Sequence, residues 1–234
     1  MSGSTHDGRR PAILAIDCAT TQVVIATGSP AGRIDGLTTW PAGYRHGETL
    51  LPTIGRVLGE GNIRRSRLVA IVVGTGPGAF TGLRVGLATA KGLAHGLSIP
   101  IVGVSTGSAL LAAATATDGI AGRPVLLLPA GPSDRLVVRA DRAPELLVAG
   151  TEPVVAAGET LVAIDLEGRA DAAAVERGEA ARAGLGAALI QLGAARLAAD
   201  RAGDDLARLV PDYVTLPRGV RAEVGEVTWS RDPR

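Results

Sequence analysis

Residues 68–97 join a short apolar run to a glycine-rich turn and then to a stretch of helical length and composition. The run from Leu68 to Val73 contains no polar residue, and it is short enough to be a strand buried on both faces. A buried strand that leads straight into a helix is typical of parallel sheets, because parallel neighbours need a long connection. The segment therefore predicts an α/β fold.

The same strand and helix signals recur on both sides of this segment. Apolar runs divided by Gly and Pro predict three earlier strands, at Pro11–Asp17, Gln22–Thr27 and Arg33–Trp40. The helix after the buried strand is expected over Thr81–Leu97, and an apolar stripe predicts another over Glu48–Leu58. A further strand and helix are expected at Ile99–Val102 and Ser108–Thr115. Residues 11–117 should thus form an N-terminal unit built on a mixed sheet.

Strand signals begin again in the second half, which predicts a C-terminal unit over residues 118–217. Its expected elements are four short strands and one helix, at Val125–Pro129, Leu136–Ala140, Leu146–Val148, Leu161–Ile164 and Leu185–Ala202. Residues 1–10 are expected to be a flexible leader and residues 218–234 a charged tail, since neither has enough apolar surface for a core.

Charge balance, cysteine content and the spacing of charged residues limit the classes of protein to which the chain can belong. The chain has 24 basic and 23 acidic residues, a balance that gives no general reason to bind nucleic acid. Cys18 is the only cysteine, which excludes an intrachain disulfide and fits a cytoplasmic location. The longest stretch without charged residues, Gly92–Thr117, is interrupted by Pro100 and several glycines, so no membrane span is expected.

Two short motifs are typical of enzymes, but in each case a second residue that the enzyme would need is missing from its expected position in the sequence. Gly74, Gly76 and Ala79 fit the dinucleotide pattern G-x-G-x-x-G/A, yet no acidic residue lies between Glu60 and Asp118 to hold a ribose. We interpret these glycines as a tight turn that lets the helix approach the sheet.

The sequence from Gly103 to Gly107 spells G-x-S-x-G, but all three histidines precede Ser105, unlike the order in α/β-hydrolases. Ser105 is therefore expected to be a helix N-cap. Cys18 has only His46 as a candidate base, and His46 with Glu48 is a poor cation site, so neither a cysteine nucleophile nor a metal is expected.

Asp17 and Thr20 close the first predicted strand. An acidic side chain with nearby hydroxyls at this point can hold a nucleotide phosphate or its metal, or it can form an Asx or Ser/Thr turn. Both interpretations stay open. No Walker-type phosphate loop is present.

A longer pattern resembles a known family. Residues 76–94, GPGAFTGLRVGLATAKGLA, closely resemble the signature GPGSFTGLRIGLATAKGLA of the TsaB family, formerly grouped with glycoproteases. Ile13–Asp17, His46–Pro52 and Ile99–Ser105 also match in the family's order. Ala79 and Gly47 each stand where the family usually has a serine. The second half of the chain carries little of the resemblance.

The resemblance implies a fold of two duplicated actin/Hsp70-like halves, related to ribonuclease H, each a mixed sheet with flanking helices. It also implies a non-catalytic subunit that pairs with a catalytic paralogue and a small ATPase, or with itself when alone. That complex adds threonylcarbamoyl to the adenosine next to the anticodon of tRNAs that read codons starting with A. No tightly bound cofactor is expected, ATP or ADP being possible in the complex, and tRNA is reached through the complex. The alternative is a nucleotide-binding or glycoprotease-like hydrolase acting alone.

The resemblance further implies that two helices of the first half, those expected over Glu48–Leu58 and Thr81–Leu97, form the docking surface. The candidate interface residues are Leu50, Leu51, Ile54, Leu58, Phe80, Thr81, Leu83, Arg84, Gly86, Leu87, Ala90 and Lys91. The small residues of the second helix are expected to be exposed, so a charged residue at Gly86 or Ala90 should abolish pairing; burial of that face inside its own unit is the alternative. Asp17 and Thr20 would be a vestigial nucleotide site. An arginine cluster at residues 64–67 suggests either RNA contact or a solvated loop.

Overall fold

A computed structural model describes residues 10–42 and 46–213, except for the side chain of His46. Nine strands lie within these residues: β1 (Ala12–Asp17), β2 (Gln22–Gly28), β3 (Ile34–Pro41), β4 (Leu68–Gly74), β5 (Ile101–Val104), β6 (Arg123–Pro129), β7 (Arg135–Val138), β8 (Glu145–Leu147) and β9 (Glu159–Ala163). The helices described are α1 (His46–Glu60), α2 (Phe80–Leu97), α3 (Thr106–Thr115), α4 (Ala172–Ala183) and α5 (Leu185–Ala199). The expected leader, apart from Arg10, and the expected tail lie outside the described residues.

The first sheet has the strand order β3-β2-β1-β4-β5. β1 pairs antiparallel with β2 and parallel with β4, so the sheet is mixed as expected. Alternate residues of its central strands face opposite layers: Leu14 and Ile71 pack towards α1 and α2, whereas Ile13 and Val72 pack towards α3 and α5. Burial of both faces explains why these strands are apolar without interruption.

The second sheet has the order β8-β7-β6-β9, which repeats the order of the first four strands of the first sheet. The pairing directions repeat as well, since β6 is antiparallel to β7 and parallel to β9. The expectation of two duplicated α/β halves is confirmed. The copies differ in their connections, because no helix lies between β8 and β9 where α1 lies in the first half.

The two helices after the second sheet differ from expectation. The sequence pattern predicted one helix here, but α4 precedes α5 and was missed; its buried residues are Ala174, Gly178 and Ala181, which are too small to give a strong apolar period. α5 ends at Ala199 and packs across the first sheet, with contacts to all five of its strands. Gly193 makes this possible, since an added Cβ there would overlap Val72.

Candidate functional site

Asp17 ends β1 inside the protein rather than at an open site. The side chain is fully buried; its Oδ1 accepts from the backbone N–H of Ala19 at 2.8 Å, and its Oδ2 accepts from the Thr106 hydroxyl at 2.6 Å. Gly74 packs so closely that an added Cβ would overlap the Asp17 carboxylate. Both carboxylate oxygens are therefore used within the chain.

This geometry does not fit a nucleotide-binding carboxylate. Burial raises the pKa of Asp17 to about 6, although the hydrogen bonds from Thr106 and Ala19 oppose the shift. Thr20 is buried too, and its hydroxyl bonds the backbone carbonyl oxygen and N–H of Gln22, at 2.9 and 3.2 Å. The arrangement matches the Asx and Ser/Thr turns that the sequence allowed. A carboxylate with no exposed surface and no free oxygen has little to offer a phosphate-bound metal.

Other reactive side chains singled out in the sequence have structural roles. Burial, followed by the Asp17 charge, raises the pKa of the Cys18 thiol, and a thiol in that state is a poor nucleophile. Ser105 is the N-cap of α3, as expected, because its Oγ accepts from the backbone N–H of Ser108. Among the described residues, no group of three or more His, Cys, Asp and Glu side chains is placed to hold a metal ion.

A cleft of about 440 Å³ lies between the two halves. A polar link borders it: Asp165, after β9, accepts from the backbone N–H of Thr21 at 2.7 Å and from its hydroxyl at 2.5 Å. Arg182 of α4 pairs with the same carboxylate at 2.5 Å, and both side chains are largely buried. This link connects the halves on one side of the cleft, and sequence reasoning missed it because its members lie 17 to 161 positions apart.

The cleft is also bordered by an aromatic pair. The rings of Phe80 and Tyr213 are 5.0 Å apart, and the Arg84 guanidinium lies 5.2 Å from the Phe80 ring centre. The last described residues are held there by Asp212, whose carboxylate accepts from the Thr75 hydroxyl at 2.9 Å. Asp212 and Tyr213, the last described residues, thus lie against the start of α2 and the end of β4.

An apolar groove of about 320 Å³ runs between α1 and α2 on the outer face of the first sheet. Leucines and one isoleucine line it together with three glycines and one cation: Leu14, Leu51, Ile54, Gly55, Leu58, Arg65, Leu68, Gly92, Leu93, Gly96 and Leu97. Added Cβ atoms at Gly55, Gly92 and Gly96 would meet no atom of the described residues within 4 Å. These glycines leave the groove open, and an exposed apolar concavity is a typical contact surface.

The candidate interface residues divide into two sets. Leu51, Phe80, Thr81 and Arg84 are exposed and Lys91 is half-buried, so these five are available for contact. The other seven are buried in the chain's own core, although Ile54 and Leu58 also line the floor of the groove: Leu50, Ile54, Leu58, Leu83, Gly86, Leu87 and Ala90. The interface assignment itself stays a prediction.

The expectation that the small residues of α2 are exposed is wrong for most of them. Gly82, Gly86, Ala90 and Ala94 are buried. A Cβ at Gly82 would overlap the carbonyl oxygen of Cys18, and one at Gly86 would lie 3.1 Å from the Cys18 sulfur. These residues let α2 sit close to the start of the loop after β1, as the alternative interpretation proposed. A charged residue at Gly86 or Ala90 would therefore disturb the fold, and it cannot serve as a clean test of pairing.

Because of the ionisation of Asp17, the free energy of unfolding should fall as the pH rises from 5 to 7. Its pKa is about 6 in the folded protein, against an ordinary value of 3.8 for an aspartate, so the folded state holds more protons between these values. Unfolding then becomes easier with rising pH until the carboxyl is ionised in both states. We expect this group to contribute a loss of about 1 kcal/mol over that interval. Urea unfolding at both pH values measures it; Asp17→Asn should lack this part of the slope, and identical slopes would contradict the assignment.

None of the described helices combines the length and apolar character needed to cross a membrane.

Comparisons with known proteins agree with this architecture. The family model described as TsaD, tRNA N6-adenosine threonylcarbamoyltransferase, matches residues 33–166. TsaB of Escherichia coli, a tRNA threonylcarbamoyladenosine biosynthesis protein, is 35% identical over 94 residues, which cover 40% of each chain. An uncharacterized protein of Mycobacterium tuberculosis is 40% identical over 96 residues, covering 39% of this chain and 44% of the relative. The chain thus aligns with less than half the length of these curated relatives.

A solved structure extends the likeness to nearly the whole fold. YeaZ from Pseudomonas aeruginosa superposes with a TM-score of 0.67 over 87% of this chain and 100% of its own, at 22% sequence identity. This likeness concerns the fold, which is the actin-like arrangement of two related halves. Since the TsaD family model covers more than half of the chain, and relatives named TsaB match it at 35 to 38% identity, the chain belongs to the TsaB/YeaZ branch of the TsaD family.

Proposed function

We propose that this protein is a non-catalytic partner subunit of the complex that adds threonylcarbamoyl to the adenosine next to the anticodon of tRNAs reading codons that start with A. The observation that carries the proposal is the open apolar groove between α1 and α2. It combines the exposed apolar Leu51 with glycines beside which residues 10–42 and 46–213 leave open space. The pathway is inferred from the relatives named TsaB, which are described as tRNA threonylcarbamoyladenosine biosynthesis proteins.

The proposed partner in the groove is the catalytic paralogue of the complex. An amphipathic helix of a partner can bury its apolar face in a concave apolar surface, and a groove between two helices provides such a surface. A small ATPase of the same pathway would join the assembly, and tRNA would be reached through the complex in the cytoplasm. When the paralogue is absent, a second copy of this chain would occupy the same face.

We assign nucleotide chemistry to the complex rather than to this chain. Asp17, the candidate residue for holding a nucleotide phosphate or its metal, is buried, and both of its carboxylate oxygens accept hydrogen bonds from the chain. Cys18 and Ser105 likewise have roles in packing and helix capping. The hydrolase alternative therefore has no observation in its favour among the described residues.

The proposal is tested by mixing the purified chain with the TsaD-type paralogue from the same organism. We expect the two to co-elute as a heterodimer in size-exclusion chromatography, and we expect threonylcarbamoyl transfer to tRNA to require both chains. The chain alone should hydrolyse neither ATP nor peptides. Turnover by the chain alone, or transfer that proceeds equally well without it, would overturn the proposal.

A further inference from the structure

The helices that flank the groove belong to a segment with an unusual charge balance. Residues 47–97 contain six basic residues and two acidic ones, whereas the rest of the chain has 18 basic and 21 acidic residues. The basic residues are Arg56, Arg64, Arg65, Arg67, Arg84 and Lys91. α2 contains no acidic residue at all. The segment that forms the groove therefore carries a net positive charge on a nearly neutral protein.

The surplus charge reaches the edge of the groove. Arg65 lines it, and Arg64, Arg65 and Arg67 form an exposed cluster around one 3-10 turn between α1 and β4. Within residues 10–42 and 46–213, none of these three makes an ion pair, whereas Arg56 is held by Glu60 at 2.8 Å. We call residues 64, 65 and 67 the rim cluster. It carries three cations that the described part of the chain leaves without counter-charges.

This arrangement bears on which protein fills the groove. A closed dimer of identical chains uses the same patch on both partners, so each rim would meet a face with the same positive surplus. Like charges brought together at an interface weaken association and suppress the wrong partner. A second copy is thus the poorer occupant. A different protein with carboxylates around its apolar ridge would be complementary.

The groove lining itself favours protein over RNA as the occupant. Single-stranded nucleic acids are held by aromatic side chains on which bases stack. The eleven lining residues include no aromatic side chain, and all except Arg65 are aliphatic or glycine. An arginine cluster beside an aliphatic groove is suited to an amphipathic helix with acidic flanks.

We propose that the rim cluster selects the partner: the groove takes an apolar helix ridge of a different protein whose flanking carboxylates pair with Arg64, Arg65 and Arg67, in preference to a second copy of this chain. The proposal rests on the proposed function, and it adds the chemistry of the partner's surface and the reason for preferring a heterodimer.

The test compares the wild type with the double variant Arg64→Glu/Arg65→Glu. Binding to the TsaD-type paralogue is measured by biolayer interferometry at 50 and 500 mM NaCl, and self-association by sedimentation. Wild-type heterodimer affinity should fall with salt, because surface charges are screened at high ionic strength, while self-association should strengthen. The double variant should bind the paralogue roughly tenfold or more weakly at low salt. Arg142→Glu is the matched control, because Arg142 is exposed on the connection after β7 and should be without effect.

The outcomes separate the two proposals. If the wild type pairs with the paralogue and neither salt nor the double variant changes the affinity, charge selection is wrong and the partner-subunit function survives. If the wild type does not pair at all, the proposed function fails as well. If the double variant loses affinity for tRNA while pairing normally, the cluster is an RNA contact and the inference is overturned. Because both arginines are exposed, thermal unfolding of the variant should match that of the wild type.

Discussion

Gly82→Ala is expected to lower the free energy of unfolding by about 3 to 4 kcal/mol, a large effect for a single methyl group. The added Cβ would overlap the backbone carbonyl oxygen of Cys18, which follows β1. A backbone atom cannot move aside as a flexible side chain can, so α2 or the loop after β1 must shift. Either movement disturbs the hydrogen bonds of Asp17 and the core beneath α2.

The control is the same substitution ten positions along the same helix. Gly92 lies in α2, and in the described part of the chain no atom lies within 4 Å of an added Cβ, so Gly92→Ala should stabilise the protein by about 0.5 to 1 kcal/mol through helix propensity alone. Urea unfolding of both variants measures the contrast. Equal stabilities would mean that α2 does not approach the Cys18 backbone as described.

Gly92→Leu is expected to reduce pairing with the catalytic paralogue on the order of 100-fold, a loss of roughly 3 kcal/mol of binding free energy, while the chain stays folded. Gly92 lines the groove, and a leucine side chain there would occupy the space proposed for the partner's helix. The open surroundings and the better helix propensity of leucine should keep the unfolding free energy at or above that of the wild type. The variant thus separates docking from folding, which a charged residue at Gly86 or Ala90 cannot do.

Gly59→Leu provides the matched control for this variant. Gly59 is also an exposed helical glycine whose added Cβ would meet no described atom within 4 Å, but it lies near the end of α1 and outside the groove lining. It should bind the paralogue like the wild type in the same interferometry assay. Wild-type affinity for Gly92→Leu would mean that the partner docks elsewhere, and equal losses for both leucines would point to a broader contact than the groove.

The sequence predicted the first half of the fold well because its signals are strong and local. Uninterrupted apolar runs such as Leu68–Val73 occur where both faces of a strand are covered, and β4 extends only one residue beyond that run. The second half was less predictable. α4 buries only alanines and a glycine, and these residues are equally common on exposed helices, so no apolar period marked it.

Sequence by itself determined the family and the succession of strands and helices along the first half, including the two helices proposed for docking, because these depend on local composition and on a long contiguous signature. Only the tertiary structure decided which face of α2 is available. A helix face of glycine and alanine shows the same residue spacing whether it packs against a partner or against its own chain. The close approach of Gly82 and Gly86 to Cys18 assigns that face of α2 to the interior. The exposed groove then lies on the side of Gly92 and Gly96, where no described residue fills the space that their missing side chains leave.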